Sequence, residues 1–281
     1  MYRRIRFLLI LSCLAVFSQV QAQFNDPKTL EVGPHVGASY YMGDLNTLYP
    51  FAMADLQYGG VVRFNYNNRW TFRFDYAHAT VKASDEIIKW RPERGLNFTS
   101  KINDFSVVAE FNFIEYYTGN PKKNVSPYIF GGISVFQYTA YATVGEHLID
   151  LSNCATEGRP NPNEKWYKKM FGKTSPIGVS IPFGMGVKMS LSRHMAATVE
   201  WRMQKTFTDY LDDVAKVYPK EHACYTDDNG ITYDLTDPTG NYIAGQQRGN
   251  SAFNDWFGMA RVSLTWKFNL PDGRGCNLNK F

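Results

Sequence analysis

"VEWRMQKTFTDYLDDV", residues 199–214, begins in strict alternation and ends in a cluster of carboxylates. Val199, Trp201 and Met203 share one phase; Glu200, Arg202 and Gln204 share the other. Successive side chains of a β-strand point to opposite faces, so this strand sets bulky apolar groups against charge. In a soluble core Glu200 and Arg202 would be costly to bury. The pattern makes sense if Val199, Trp201 and Met203 meet lipid and the charges face the inside of a barrel. Thr206, Thr208, Asp209, Asp212 and Asp213 then lie at the barrel mouth.

The start of the chain supports an exported protein. Arg3, Arg4 and Arg6 precede the apolar run "FLLILSCLAVFSQV", and Val20 and Ala22 supply small residues ahead of Gln23. That is the layout of a cleaved secretory signal over residues 1–22, too short and wrongly flanked for a spanning helix. Cys13 would be the modified residue of a lipoprotein, but the apolar run continues past it. The signal carries three of the 30 basic residues and none of the 26 acidic ones, leaving 27 against 26. A near-neutral mature chain gives no electrostatic case for nucleic acid. Its aromatic content is high, with 18 Tyr, 20 Phe and 6 Trp.

Eight stretches alternate: 30–42, 58–66, 70–78, 104–113, 126–138, 177–191, 194–204 and 255–268. Each is about the 9–11 residues that a tilted strand needs to cross a bilayer. An even number suits closure of an antiparallel barrel. The connections alternate too. Short ones fall at 67–69, 114–125 and 192–193; long ones at 43–57, 79–103, 139–176 and 205–254. Outer-membrane barrels have short periplasmic turns and long outer loops, whereas a soluble sandwich has no reason to sort its loops this way. Residues 30–268 are therefore expected to form an all-β, eight-stranded antiparallel transmembrane barrel with long extracellular loops. A periplasmic lead at 23–29 and a periplasmic tail at 269–281 would flank it.

Aromatic position is a second test. In the apolar phase, Phe64, Tyr66, Trp70, Phe111, Phe113, Trp266 and Phe268 sit near the expected periplasmic ends. Tyr40, Tyr58, Tyr76, Phe105 and Trp256 sit near the outer ends. Smaller groups such as Val36, Val62, Val107 and Val262 lie between, although Phe72 and Phe74 break the rule. Two aromatic girdles around an apolar band match interfacial anchoring. The opposite phase holds Glu31, His35, Arg63, Arg73, Asp75, Asp104, Glu110, Lys188, Glu200, Arg202, Arg261 and Lys267. Side chains just fill an eight-stranded barrel, so these near-balanced charges should pair and plug it.

Little in the sequence points to catalysis. Asp209, Asp212 and Asp213 could form a metal site or an acid–base pair, with His222 nearby, but no matched His or nucleophile stands at motif spacing. A loop segment, with one helical turn capped by Thr208 or Asp209, is the simpler reading. "DDNGITYD" (227–234) lacks the alternating oxygen ligands of a calcium loop, and Asn229-Gly230 reads as a hairpin turn. Gly131, Gly132, Gly184 and Gly186 read as packing positions within strands. No phosphate loop, zinc spacing or serine elbow is found. Cofactors, metals and small-molecule substrates are not expected. Three cysteines remain after signal cleavage. Cys154 and Cys224 fall in outer loops on one side and are expected to pair. Cys276, in the tail on the other side, would stay free or meet another protein.

"GASYYMGDLN" (37–46), "IPFGMGVKMSLS" (181–192), "EWRMQKTFTDYLDDV" (200–214), "DWFGMARVSLTWKF" (255–268) and the tail cysteine resemble the PorG-type outer-membrane proteins of the type IX secretion system of Bacteroidota. Residues 208–213 (Thr208, Asp209, Tyr210, Leu211, Asp212 and Asp213) are the core of the most specific of these motifs. The resemblance implies an eight-stranded barrel embedded among outer-membrane lipids. It also implies association, from the periplasmic side, with a ring built of a lipoprotein and a periplasmic partner, in a system that exports proteases, adhesins or gliding proteins. It implies no enzymatic activity. A passive channel or binding barrel and a surface barrel hydrolase are the alternatives, testable by conductance and by aspartate substitution.

Overall fold

The computed structural model describes residues 28–270 except 48, 50, 90, 146, 152, 153, 155 and 158–175. The signal, most of the lead, and Cys276 with the tail from 271 onward lie outside the described residues. Among the described residues eleven strands are formed: β1 (Thr29–Met42), β2 (Asp55–Asn65), β3 (Trp70–Ser84), β4 (Asn97–Asn112), β5 (Val125–Val144), β6 (His147–Asp150), β7 (Ile177–Ser190), β8 (Met195–Thr206), β9 (Cys224–Thr226), β10 (Thr232–Asp234) and β11 (Trp256–Asn269). Eight of them close antiparallel into a barrel in the order β4-β3-β2-β1-β11-β8-β7-β5, and β4 pairs back with β5. The remaining three are small: β6 folds back antiparallel beside the upper end of β5, and β9 and β10 form a separate hairpin. Among the described residues no helix is long and apolar enough to cross a membrane.

The expected strands and lumen phase are all present. All twelve charged or histidine side chains assigned to the lumen are buried. The outward phase is exposed and apolar, as at Val36, Val62, Phe74, Val107, Ile133, Met185, Val199 and Val262. Glycines in the inward phase leave room for rings. A Cβ on Gly186 would lie 2.8 Å from the Tyr128 ring, and one on Gly184 2.8 Å from the Phe130 ring.

Two expectations are corrected. The connection expected at 79–103 is mostly strand, because the β3–β4 ladder runs on to Ser84 opposite Asn97. Alternation persists there with its chemistry reversed. Ala79, Val81, Ala83, Phe98 and Ile102 are buried inward, while Thr80, Lys82, Thr99 and Lys101 point outward. Met203 keeps its outward phase but is only 7% exposed, against 43% for Trp201. Tyr40 covers it. The Tyr40 ring lies across Gly258, where a Cβ would come within 2.3 Å of it, and its hydroxyl meets Met203 Sδ at 3.0 Å. The Trp201 indole donates to the same hydroxyl at 2.6 Å, and Phe51 packs against the ring at 4.5 Å.

Candidate functional site: a filled lumen and a capped mouth

Side chains of the inward phase fill the half of the barrel near the short turns. Glu110 forms ion pairs with Lys188 at 2.5 Å, Arg73 at 2.7 Å and Arg63 at 3.4 Å. Glu200 takes Arg73 and, at 2.7 Å each, Arg261 and the Tyr128 hydroxyl. Asp75 binds both terminal nitrogens of Arg261 at 2.9 and 2.7 Å, with His35 at 3.4 Å. Asp104 accepts from Arg202 at 3.0 Å and from Ser134. Phe130 lies under Arg73 and Tyr128 under Lys188, each 4.8 Å from ring centroid to cation. These residues come from β1 to β5, β7, β8 and β11. The ladder therefore ties opposite walls of the barrel together.

The short-turn end is closed by residues 113–124. Thr118 and Tyr116 are buried. The Thr118 hydroxyl donates to Glu31 at 2.6 Å, Lys267 donates to the Thr118 carbonyl, and the Tyr116 amide donates to the Asn68 carbonyl at 2.9 Å. Gly119 makes the bend possible: its φ of 90° is left-handed, and a Cβ would lie 2.6 Å from the Arg193 carbonyl.

The other end is capped by the motif that follows β8. Residues 207–216 contain no helical turn, so the expected cap at Thr208 or Asp209 is not formed. Backbone amides of this segment are satisfied by side chains instead. Leu211 N–H donates to Asp255 Oδ2 at 3.0 Å, and the amides of Ala215 and Lys216 donate to the two Glu157 oxygens at 2.9 Å. Asp213 adopts a left-handed φ of 62°, a conformation that aspartate tolerates. Leu211 and Val214 are thereby turned down into a hydrophobic chamber with Tyr41, Leu45, Val81, Phe98, Ile102, Phe136, Phe257 and Met259. Other outer connections lock the cap. Arg94 binds Asp85 at 2.7 Å and the carbonyls of Asp44 and Arg248; Arg248 binds Glu157 and the Asp213 carbonyl; Thr156 donates to Asp213.

All six motif residues sit at this mouth. Tyr210, Leu211, Asp212 and Asp213 are buried, Thr208 Oγ1 is 3.4 Å from the Tyr138 hydroxyl, and Asp209 is half-buried. Burial and the neighbouring Asp255 and Asp44 carboxylates raise Asp209 to about 8 and Asp212 well above the carboxylate range. Burial raises Asp255 to about 7. Two partners in this cluster, Tyr41 and Asp255, are missed in the sequence reading. Tyr41 breaks the outward aromatic pattern by lying directly after Tyr40, and that adjacency is its only sequence signal. His222 pairs with Asp234 instead of with the motif carboxylates. Among the described residues no group of histidine, cysteine and carboxylate side chains is arranged to hold a metal. At 227–231 the Asp227 carboxylate is spent on the amides of Asn229 and Ile231, and Gly230 makes the hairpin turn with a φ of 79°. Cys154 and Cys224 are not bonded to each other. Cys154 faces the Asp150 carbonyl at 3.4 Å and packs near Ala223, while Cys224 faces the His222 carbonyl at 3.9 Å.

A closed eight-stranded antiparallel barrel, apolar outside and ion-paired inside, is the class of protein these features define. The chain belongs to the family described as Domain of unknown function (DUF6089), which matches residues 5–155. No curated protein matches it in sequence. Among solved structures it is similar to the N-terminal β-barrel domain of Pseudomonas aeruginosa OprF, at 12% identity over 86% of this chain and 98% of that one, with a TM-score of 0.37. Neisserial surface protein A matches at 10% identity over 85% and 97%, with a TM-score of 0.42. Pseudomonas aeruginosa OprG matches at 10% over 87% and 97%, with a TM-score of 0.41.

Proposed function

We propose that this protein is an integral outer-membrane barrel that anchors a protein-secretion machine of the type IX class and does not conduct through its own lumen. The observation that carries this reading is the pairing of an exposed apolar outer wall with a lumen filled by ion pairs. An exposed apolar wall suits hydrocarbon, and buried ion pairs leave no water column. Aromatic contacts at the wall's two edges suit the interfaces: Trp70 against Phe111 at 5.1 Å near the short turns, Tyr76 against Phe105 at 4.9 Å toward the mouth. The short turns and both strand ends, Thr29 and Asn269, would face the periplasm.

The secretion role rests on the resemblance of residues 37–46, 181–192, 200–214 and 255–268 to PorG-type proteins. The partners would be the lipoprotein and periplasmic components of the ring, reached through the turn at 113–124 and the tail with Cys276. Crosslinking and affinity purification from membranes test this directly. Co-purification of ring proteins, reduced by Cys276→Ser or by changes at Lys122, supports the anchor. A barrel purified without any ring component, together with steady conductance in planar bilayers, would replace it with a passive channel.

A further inference from the structure

The capped mouth contains an uneven count of protons. Tyr41 Oη lies 2.6 Å from Asp212 Oδ2 and 2.6 Å from Asp255 Oδ1. A phenol has one proton to donate, and an ionised carboxylate can only accept. One contact takes the tyrosine's proton. The other must be made by a protonated carboxyl that donates back to Tyr41 Oη. All three side chains are buried, and among the described residues no lysine or arginine forms an ion pair with Asp212 or Asp255. We propose that residues 207–216 are a proton-held latch on the barrel mouth: the docked cap keeps one proton shared across Asp212, Tyr41 and Asp255, and loss of that proton releases the cap.

Groups around the triad cannot replace the proton. Loop 43–54 brings Asp44, another carboxylate, whose Oδ2 is taken by the Asn250 amide at 2.6 Å. From loop 85–96, Arg94 is committed to Asp85 and two carbonyls, with Arg91 beyond it near Asp44. From the third connection Glu157 adds negative charge and is held by Arg248. Strand β5 contributes Tyr138, against Thr208. Within the cap itself Asp209 is another acid, and Lys216 is exposed. The surroundings are thus acidic, in keeping with the upward shifts of Asp212 and Asp255.

The sign follows from linkage. A carboxyl whose folded pKa is raised stabilises the docked form fully below its unfolded pKa, near 4, and loses that contribution as pH rises through the folded value. For Asp255 the window runs from there to about 7. Asp255 reaches the cap through its carboxylate, to the amides of Leu211 and Asp212, and through its own backbone amide, to the Thr208 carbonyl. Asp212 also borders a cavity of about 480 Å³ beside Leu235 and Arg248, large enough for water to exchange its proton.

Hydrogen exchange on the full folded chain in detergent micelles, from pH 5.5 to 8.5 and corrected for intrinsic rates, tests the latch without any secretion partner. Protection of 207–216 should fall by up to about tenfold per pH unit from pH 5.5 to about 7, the limit for one proton, and level off above it, while the β-ladder stays flat. Asp255→Asn replaces the titrating acid with an amide that can donate to Tyr41 at any pH, so its profile should be shallower than the wild type's, keeping only the slope that Asp209 contributes. Tyr41→Phe keeps both acids and removes the bridge, so it should lower protection more at pH 6 than at pH 8. A wild-type profile without pH dependence overturns the latch, as does an Asp255→Asn profile that follows the wild type. If Asp255→Asn does not fold, Tyr41→Phe decides alone: an equal loss at both pH values, or none, overturns it.

Discussion

The two halves of this barrel solve opposite problems with the same backbone. Near the short turns the wall is apolar outside and charged inside; toward the mouth it is polar outside and apolar inside. Strand β3 shows the change along one chain. Phe72 and Phe74 face out with Arg73 and Asp75 behind them, then Thr80 and Lys82 face out with Val81 and Ala83 behind. The β3–β4 ladder is unbroken through the change, so register is not what moves. On the outer-membrane reading proposed above, what moves is the medium that each face meets. Hydrocarbon around the lower wall would make outward apolar groups favourable and leave charges only the lumen; water around the upper wall would restore the ordinary rule of an apolar interior.

The largest test of this contrast is in the charged half. Glu200→Ala leaves Arg73, Arg261 and Tyr128 without their shared acceptor in a buried site. Removing one partner of a buried pair should cost about 3–5 kcal/mol. Urea unfolding in lipid vesicles reads it, and a loss under about 1 kcal/mol would mean that water reaches the ladder.

The outer wall gives the next effect, with its own internal control. Val199→Arg near the middle of the apolar belt should cost about 2–4 kcal/mol of insertion stability, while Thr143→Arg on the upper wall of β5 should stay within about 0.5 kcal/mol. Equal costs would place the upper wall in the same medium as the lower one.

Leu211→Ala probes the apolar half. Truncating a fully buried leucine should cost about 2–3 kcal/mol, toward the lower end for such a change because the cap can resettle. The loss should fall on the cap alone. Added protease should then cut within 207–216 while the barrel stays folded. Global unfolding would show that the cap and the strands form one cooperative unit.

How much of this was legible in the sequence follows from the same contrast. Period-two alternation identified eight strands and all twelve lumen groups, because in the lower half charge and apolarity fall on opposite faces. The upper extensions of β3, β4 and β5 fall in the expected loops, since Thr80, Lys82, Thr99 and Lys101 end the outward apolar phase. The inward run Ala79, Val81, Ala83 could have revealed them, but small residues give a weak signal. Met203 was correctly phased, yet its cover by Tyr40 depends on Gly258 in a strand far along the chain. The motif at 208–213 was recognisable as a unit. Its role as a cap was not, because the amides that hold it are satisfied by Asp255 and Glu157, far apart in sequence.

The smallest effect is expected where the two halves meet. Arg202 is fully buried; its strand neighbours across the sheet are Met259, which belongs to the hydrophobic chamber, and Gly184. It makes one close contact, from Nη2 to Asp104 at 3.0 Å, and a longer one from Nη1 to Asp75 at 3.6 Å. Its Nε and Nη1 have no hydrogen-bond acceptor. The site therefore uses the charge of arginine more than its planar fork. Arg202→Lys keeps that charge with a single donor group toward Asp104 and should cost about 1 kcal/mol, the scale of one hydrogen bond. Arg202→Met would instead leave Asp104 buried without a cation, and should approach the cost of Glu200→Ala. If both changes are equally mild, the border lies lower than Arg202, and Asp104 with Ser134 already belongs to the upper half.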